Sequence, residues 1–317
     1  GYPQYIVDHR ATGSYYCPNH FAGIMEMATA IGLGITLTRR VSTTQRIVGL
    51  CLAGMGCVAI LMSKSRGGGL CLVVLFLVAL QWGFVNWPQR ARWWWRIASL
   101  ALGGILVAGV ILFSHGFTAR YTEYFQLESL KNKPLNEAVS TMKNHLRSTS
   151  RGVMYASAIR AWKTSPIIGI GPGMHASQWF HFAPSQDGDP ATRTWPSLPN
   201  YKNRSDEAHS DWIELLEEYG LLGFILVLIP AIYLARLLTQ ALQQDNATRR
   251  ERERPTSGTY FPREAMALSA ILAYSAILCH SLGDFNLQIP ATAWMFAAIL
   301  ALPIGMIGDK RVRASRE

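Results

Sequence analysis

Long apolar runs, separated mostly by short connections, set the plan of this chain. Apolar windows lie near residues 20–38, 46–62, 68–86, 96–114, 212–238, 264–282 and 288–308. At 1.5 Å per residue, each is about long enough to cross roughly 30 Å of hydrocarbon as a helix. None alternates like an outer-membrane strand, and a helix satisfies its own backbone hydrogen bonds in lipid. The pattern predicts an all-α, polytopic transmembrane helix bundle of about seven spans. Two connections break the rule of short links: a segment of close to a hundred residues, His115 to Asp211, and the stretch from Thr239 to Arg263. The second reads as a solvated cytoplasmic linker. Three regions follow: 1–114 with four spans and an outer N-terminal segment, 115–211 as one large outer loop, and 212–317 with three spans, a basic loop and a basic tail.

The charges fit this plan. If the first window enters from outside, the inner connections hold Arg39, Arg40 and Arg46, then Arg90, Arg92 and Arg96, then Arg249, Arg250, Arg252 and Arg254, and finally Lys310, Arg311, Arg313 and Arg316. That is the positive-inside bias. The formal net charge of +10 therefore reports orientation and contact with anionic membrane lipids, and no nucleic-acid partner is expected. Trp82, Trp87, Trp93, Trp94 and Trp95 bracket one inner connection as an interfacial aromatic belt. Only 16% of residues are charged, against about 25% in soluble domains. The five cysteines, Cys17, Cys51, Cys57, Cys71 and Cys279, show no metal-ligand spacing and read as small hydrophobes without a disulfide framework. The chain begins at Gly1 with no secretory signal pattern and reads as part of a longer polytopic protein.

The large loop has too many aromatics for disorder and is too long for a passive link. Its SRGVMYASAIRAWKTS run repeats apolar residues at Val153, Ala156, Ile159 and Trp162, which predicts a helix. SPIIGIGPGMH then turns irregular. GIGPG lacks the preceding strand and spacing of a nucleotide loop, so it reads as a structural turn. His175 and His181 beside it read as surface residues, with a minor substrate role as the alternative.

His209 sits where this polar loop meets the apolar run ending at Leu238. A titratable imidazole there faces water just outside the lipid, where chemistry on a lipid-linked substrate needs a proton acceptor. Glu207, Asp206 and Asp211 flank it, one of them a candidate to orient the ring. In MSKSRGGG, Lys64 and Arg66 precede three glycines on the outer side, against the charge bias. They read either as snorkelling anchors or, for Arg66, as an anion site where glycines admit a phosphate. Arg151 and Arg160 read as solvated cations or bidentate phosphate ligands. CHSLGDFNLQIPA places His280, Asp284 and Asn286 between two spans. Polar groups at that depth are costly, so they either contact substrate or cap two helices and bond to one another. No Asp-x-Asp pair suggests a divalent metal, and no cofactor is expected.

Four segments, in order, resemble the O-antigen ligase and polymerase superfamily of bacterial inner-membrane glycosyltransferases: RATGSYYCPNHFAGIMEMA, SKSRGG, SRGVMYASAIRAWKTSPIIGIGPG and EAHSDWIELLEEYGLLG. The DFNLQIPA segment is similar to exopolysaccharide members. The resemblance implies a multi-pass inner-membrane enzyme with a periplasmic active face, of which this chain is the C-terminal part. It implies metal-independent transfer of a glycan from undecaprenyl pyrophosphate to a glycan or lipid acceptor, by polymerisation or by ligation. Carried over by motif, Arg66 and Arg151 hold the pyrophosphate and His209 is the base. Arg10, Asn19 and His20 match an outer segment that contributes to substrate binding. A lipid-glycan flippase is the alternative. The span centres are almost uncharged, however, whereas transporters place ionisable residues deep within their helices.

Overall fold

The computed structural model describes residues 9–38, 41–86, 133–182, 205–248 and 263–314, with scattered positions between 122 and 130. Among these residues the long elements are all helical. They are α1 (Pro18–Leu37), α2 (Thr43–Ser63), α3 (Arg66–Asn86), α4 (Leu135–Ser148), α5 (Ser150–Thr164), α6 (His175–Phe182), α7 (Asp211–Thr248), α8 (Arg263–His280) and α9 (Pro290–Ala314). A helical turn at Leu127–Leu130 and a 3-10 turn at Asn286–Gln288 complete the described regular structure. The predicted fourth span at 96–114, most of the tryptophan belt and several of the inner arginines lie outside the described residues.

Two compact units divide the chain. One holds Gly1–Phe117, Ala231–His280 and Asn286–Glu317, the other Thr118–Pro230 and Ser281–Phe285. In the first, α1 packs on α2, α3 and α8, and α8 also packs on α3 and α9. Met27, Ile60, Leu75, Leu268, Leu272 and Ile277 form the centre of its core. Proline opens α1 at its first turn, and a capping box between Ser42 and Gln45 starts α2. Gly32 lets α1 and α2 approach closely, because a Cβ there would strike the backbone of Ala53. Away from this core, Val48, Met55, Val58, Leu70, Val73 and Leu77 are exposed, as lipid-facing side chains would be.

Among the described residues, four helices are long and apolar enough to cross a membrane: Pro18–Leu37, Thr43–Ser63, Arg66–Gly83 and Asp211–Gln243. The window predicted at 264–282 becomes α8, whose ends carry Arg263, Glu264 and His280 and whose sides are mostly covered. The last window becomes α9, with a shorter apolar run at Pro290–Gly305. Helix α7 continues to Thr248, so the stretch expected to be a linker from Thr239 begins as helix.

In the second unit α4 packs on α5 and α5 on α6. The predicted loop helix is α5, capped by the Thr149 hydroxyl accepting from the Gly152 N–H. Helix α7 breaks at Gly220 (φ 64°, ψ −167°). Its acidic start, with Asp211, Glu214, Glu217 and Glu218, precedes the break, and the apolar run follows it. The GIGPG run fills the gap: Ile170 and Gly171 donate to the carbonyls of Glu217 and Glu218, while Leu221 and Leu222 donate to Pro166 and Ile167. Gly220 must be glycine on two counts, a left-handed φ and a Cβ position occupied by the Ile167 carbonyl.

Candidate active site

The second unit gathers His209, Asp284, Arg151 and Tyr155. His209 Nδ1 lies 3.4 Å from Asp284 Oδ1, and Arg151 Nη2 donates to Asp284 Oδ2 at 3.2 Å. Asp284 is therefore shared between an imidazole and a guanidinium. It is 1% exposed, whereas the His209 and Arg151 side chains are 33% and 24% exposed. The carboxylate is thus an internal anchor, and its two partners reach solvent. A buried carboxylate is tolerated only when paired, and here the Phe285 N–H also donates to Oδ1 at 3.0 Å.

The backbone holds this group firmly. His209 has φ 55°, a left-handed conformation that costs a non-glycine residue about 1–3 kcal/mol. Hydrogen bonds on every side fix it. The Tyr155 hydroxyl donates to the His209 carbonyl at 3.1 Å, and the Ala208 N–H donates to Glu214 Oε2 at 2.8 Å. The Ser210 hydroxyl donates to the Ser281 carbonyl, the Ser281 hydroxyl to Asp211 Oδ2, and the Asp211 N–H to the Asp284 carbonyl. Phe285 stands edge-on to the imidazole with centroids 5.0 Å apart. The ring is therefore oriented by Asp284 from the segment before α9. Glu207, Asp206 and Asp211, the flanking candidates, are not the group found at Nδ1, and Asp211 instead braces Ser281. Tyr155 and Phe285 had no distinguishing signal in the sequence, since a buried tyrosine hydroxyl and an aromatic edge are ordinary features of any core.

With Asp284 accepting from Nδ1–H, the lone pair of the His209 ring sits on Nε2. Arg151 uses Nη2 on Asp284 and has further N–H donors in its planar fork. Alongside, α4 and α5 form an apolar groove of about 790 Å³ lined by Leu135, Val139, Met142, Leu146, Tyr155 and Ile159, with Lys143, Arg147, Arg160 and Lys163 also on its wall. Among the described residues its lining includes four cations and no carboxylate. Tyr155 belongs to both the groove and the His209 cluster.

The remaining candidates divide by unit. Arg160 Nε donates to the Phe182 carbonyl at 2.9 Å, which ties α5 to the end of α6. In the first unit, Arg10 donates to the Ser63 carbonyl and to Asn19 Oδ1, so the N-terminal segment is pinned to the end of α2. Lys64 is the left-handed cap of α2, and Arg66 opens α3. His20 is part-buried on the first turn of α1. His280 pairs with Glu26 at 2.7 Å, and Asn286 is buried against Gly23. Of the polar trio between the last two windows, only Asp284 joins His209.

The family described as O-antigen ligase matches residues 50–228, more than half of the chain and the stretch that holds Arg66, Arg151 and His209. The chain belongs to this O-antigen ligase family. No curated protein matches it. Membership and the apolar helices together make it a multi-pass membrane protein of glycosyltransferase type, acting in polysaccharide biosynthesis on lipid-linked glycan and acceptor substrates.

In this O-antigen ligase family protein, one histidine differs from expectation. His175 is buried at the start of α6, not at the surface, and its Nδ1 meets Glu217 Oε2 at 2.6 Å. Burial alone would push the imidazole down, but the Glu217 hydrogen bond and the charges of Glu217, Glu214 and Glu218 hold it above its ordinary 6.5. Glu207 is pushed up to about 8 by burial, a hydrogen bond with Glu214 and the charges of Glu214, Glu218 and Asp206. Both groups bind protons more tightly folded than unfolded. The His175 contribution is therefore fully present below 6.5 and is lost as pH rises through its raised folded value. For Glu207, stability falls as pH rises between 4.5 and about 8. Melting temperature measured in detergent is expected to fall as pH rises from 4.5 to about 8. Glu207→Gln should flatten the lower part of that slope, and an unchanged slope would remove Glu207 as its source.

Proposed function

We propose that this protein transfers a glycan from undecaprenyl pyrophosphate to an acceptor hydroxyl at the periplasmic face of the bacterial inner membrane, with His209 as general base. The observation that carries the reading is the His209–Asp284–Arg151 cluster. It sets an imidazole and a guanidinium against opposite oxygens of one buried carboxylate, an arrangement that supports a base beside an anion-binding cation. In the proposed step the acceptor oxygen attacks the anomeric carbon and its proton passes to Nε2 of His209. The bond from the anomeric carbon to the pyrophosphate oxygen breaks, and the lipid pyrophosphate leaves with the electron pair. Arg151 neutralises the charge developing on that leaving group. Arg66 keeps the pyrophosphate role that its Ser-Arg-Gly motif implies, and no step is assigned to a metal.

The groove between α4 and α5 suits the hydrocarbon end of the same donor. Its wall is apolar, its charged residues are all cations, and it shares Tyr155 with the His209 cluster. Purified protein in liposomes, given a glycan on undecaprenyl pyrophosphate and an acceptor, is expected to form a glycosidic bond and release the free carrier pyrophosphate. Movement of the lipid-linked glycan across the bilayer without bond formation would replace this reading with a flippase.

A further inference from the structure

Along the chain, the cysteines and histidines of the first unit show no ligand spacing. Folding nevertheless brings Glu26 of α1, Cys71 of α3 and His280 at the end of α8 together. Their donor atoms all lie within 4.8 Å of one another, and all three residues are buried. Glu26 Oε1 and His280 Nδ1 are 2.7 Å apart. The Cys71 thiol donates to the Ala276 carbonyl at 3.4 Å, one turn before His280 on α8. Gly67 packs directly on the imidazole: a Cβ there would lie 2.7 Å from His280 Nε2, too close for any other residue.

A Glu–His hydrogen bond alone would link two helices and would need no thiol. Carboxylate, imidazole and thiol gathered in an apolar core are costly, and such groups inside a span mark function by default. We infer that Glu26, Cys71 and His280 form a three-ligand binding site for a zinc-class divalent cation that clamps α1, α3 and α8.

Charge favours this assignment. A dication with one carboxylate, one thiolate and a neutral imidazole has no net charge, which suits an apolar surrounding better than separate ions. Tetrahedral bonds of about 2.0–2.3 Å place ligand atoms roughly 3.4–3.7 Å apart, so the Glu26–His280 pair opens slightly from 2.7 Å and the Cys71 thiol adjusts by about 1 Å or less through side-chain rotation. The mixed nitrogen, sulfur and oxygen set matches zinc better than the hard oxygen-seeking ions. Binding expels the thiol proton and replaces the Glu26–His280 hydrogen bond by two bonds to the ion.

Cobalt(II) is the probe. Full-length chain in nanodiscs, stripped with a chelator, is expected to bind one equivalent, with a thiolate-to-cobalt charge-transfer band that stoichiometric Zn²⁺ abolishes. Cys71→Ser should remove the band, and Glu26→Gln should weaken binding at least tenfold. Chelation should lower the melting temperature of the unaltered protein and leave that of Cys71→Ser unmoved. The chelation arm needs no variant, so a poorly folding substitution does not spoil the test. Absence of the band in the unaltered protein, or cobalt binding that survives Cys71→Ser, would overturn the site. These readouts are independent of glycan transfer, so the metal site and the catalytic reading can fail separately.

Discussion

Replacing His209 by alanine is expected to lower glycan transfer by roughly 10²–10⁴-fold, the usual contribution of a positioned general base. The protein should still insert and reach normal abundance, because the imidazole is one-third exposed and contributes little to the core. In intact cells carrying His209→Ala, the undelivered glycan should accumulate on its lipid carrier. Single repeats there would mark lost polymerisation, and long chains would mark lost ligation. Unchanged surface glycan at matched abundance would end the assignment of His209 as base.

Asp284→Asn should be nearly as damaging, although the residue need never touch substrate. An asparagine has the same shape and can turn its carbonyl oxygen to Arg151 in exchange for the bond from the Phe285 N–H, so the packing survives. It removes the charge that pairs with Arg151 and can present an amide N–H to Nδ1 of His209. The ring then carries its proton on Nε2, where the proton acceptor was needed. In a serine protease triad, the same change of the orienting aspartate to asparagine costs about 10⁴-fold in turnover for this reason. A loss of about 10²–10⁴-fold in turnover, with partial recovery in Asp284→Glu, is the expected pattern. The transfer rate of purified variants at saturating donor checks it. A variant at full rate would show that Asp284 only braces the segment before α9.

What was legible before folding follows from what a linear pattern can encode. Runs of about twenty apolar residues have few fates besides a spanning or buried helix, so α1, α2, α3 and α7 lie where the windows predicted them. The three- and four-residue repeat around Val153 likewise marked α5. Composition could not foresee the break at Gly220, because Leu and Gly neighbours are also common in unbroken spans. Only the docking of Ile167 to Gly171 explains it. Nor could periodicity tell that His175 would be buried against Glu217, 42 residues away.

The same division holds for the chemistry. His209 and Asp284 were visible as polar residues at the ends of apolar runs, a signal that exists because charge is expensive near lipid, and Arg151 as a cation at the start of the loop helix. Their grouping was not visible. His209 lies closer in sequence to Glu207 and Asp211, yet the carboxylate at its Nδ1 comes from 75 residues downstream. Glu26 and His280 meet across 254 residues. The sequence by itself determined a helical membrane protein of the O-antigen ligase family and where its polar residues interrupt the apolar runs, because hydrophobic length and local motifs are one-dimensional properties. Tertiary structure alone decided which carboxylate serves which histidine, because a hydrogen bond depends on distance in space and side chains far apart in the chain meet only after the helices pack.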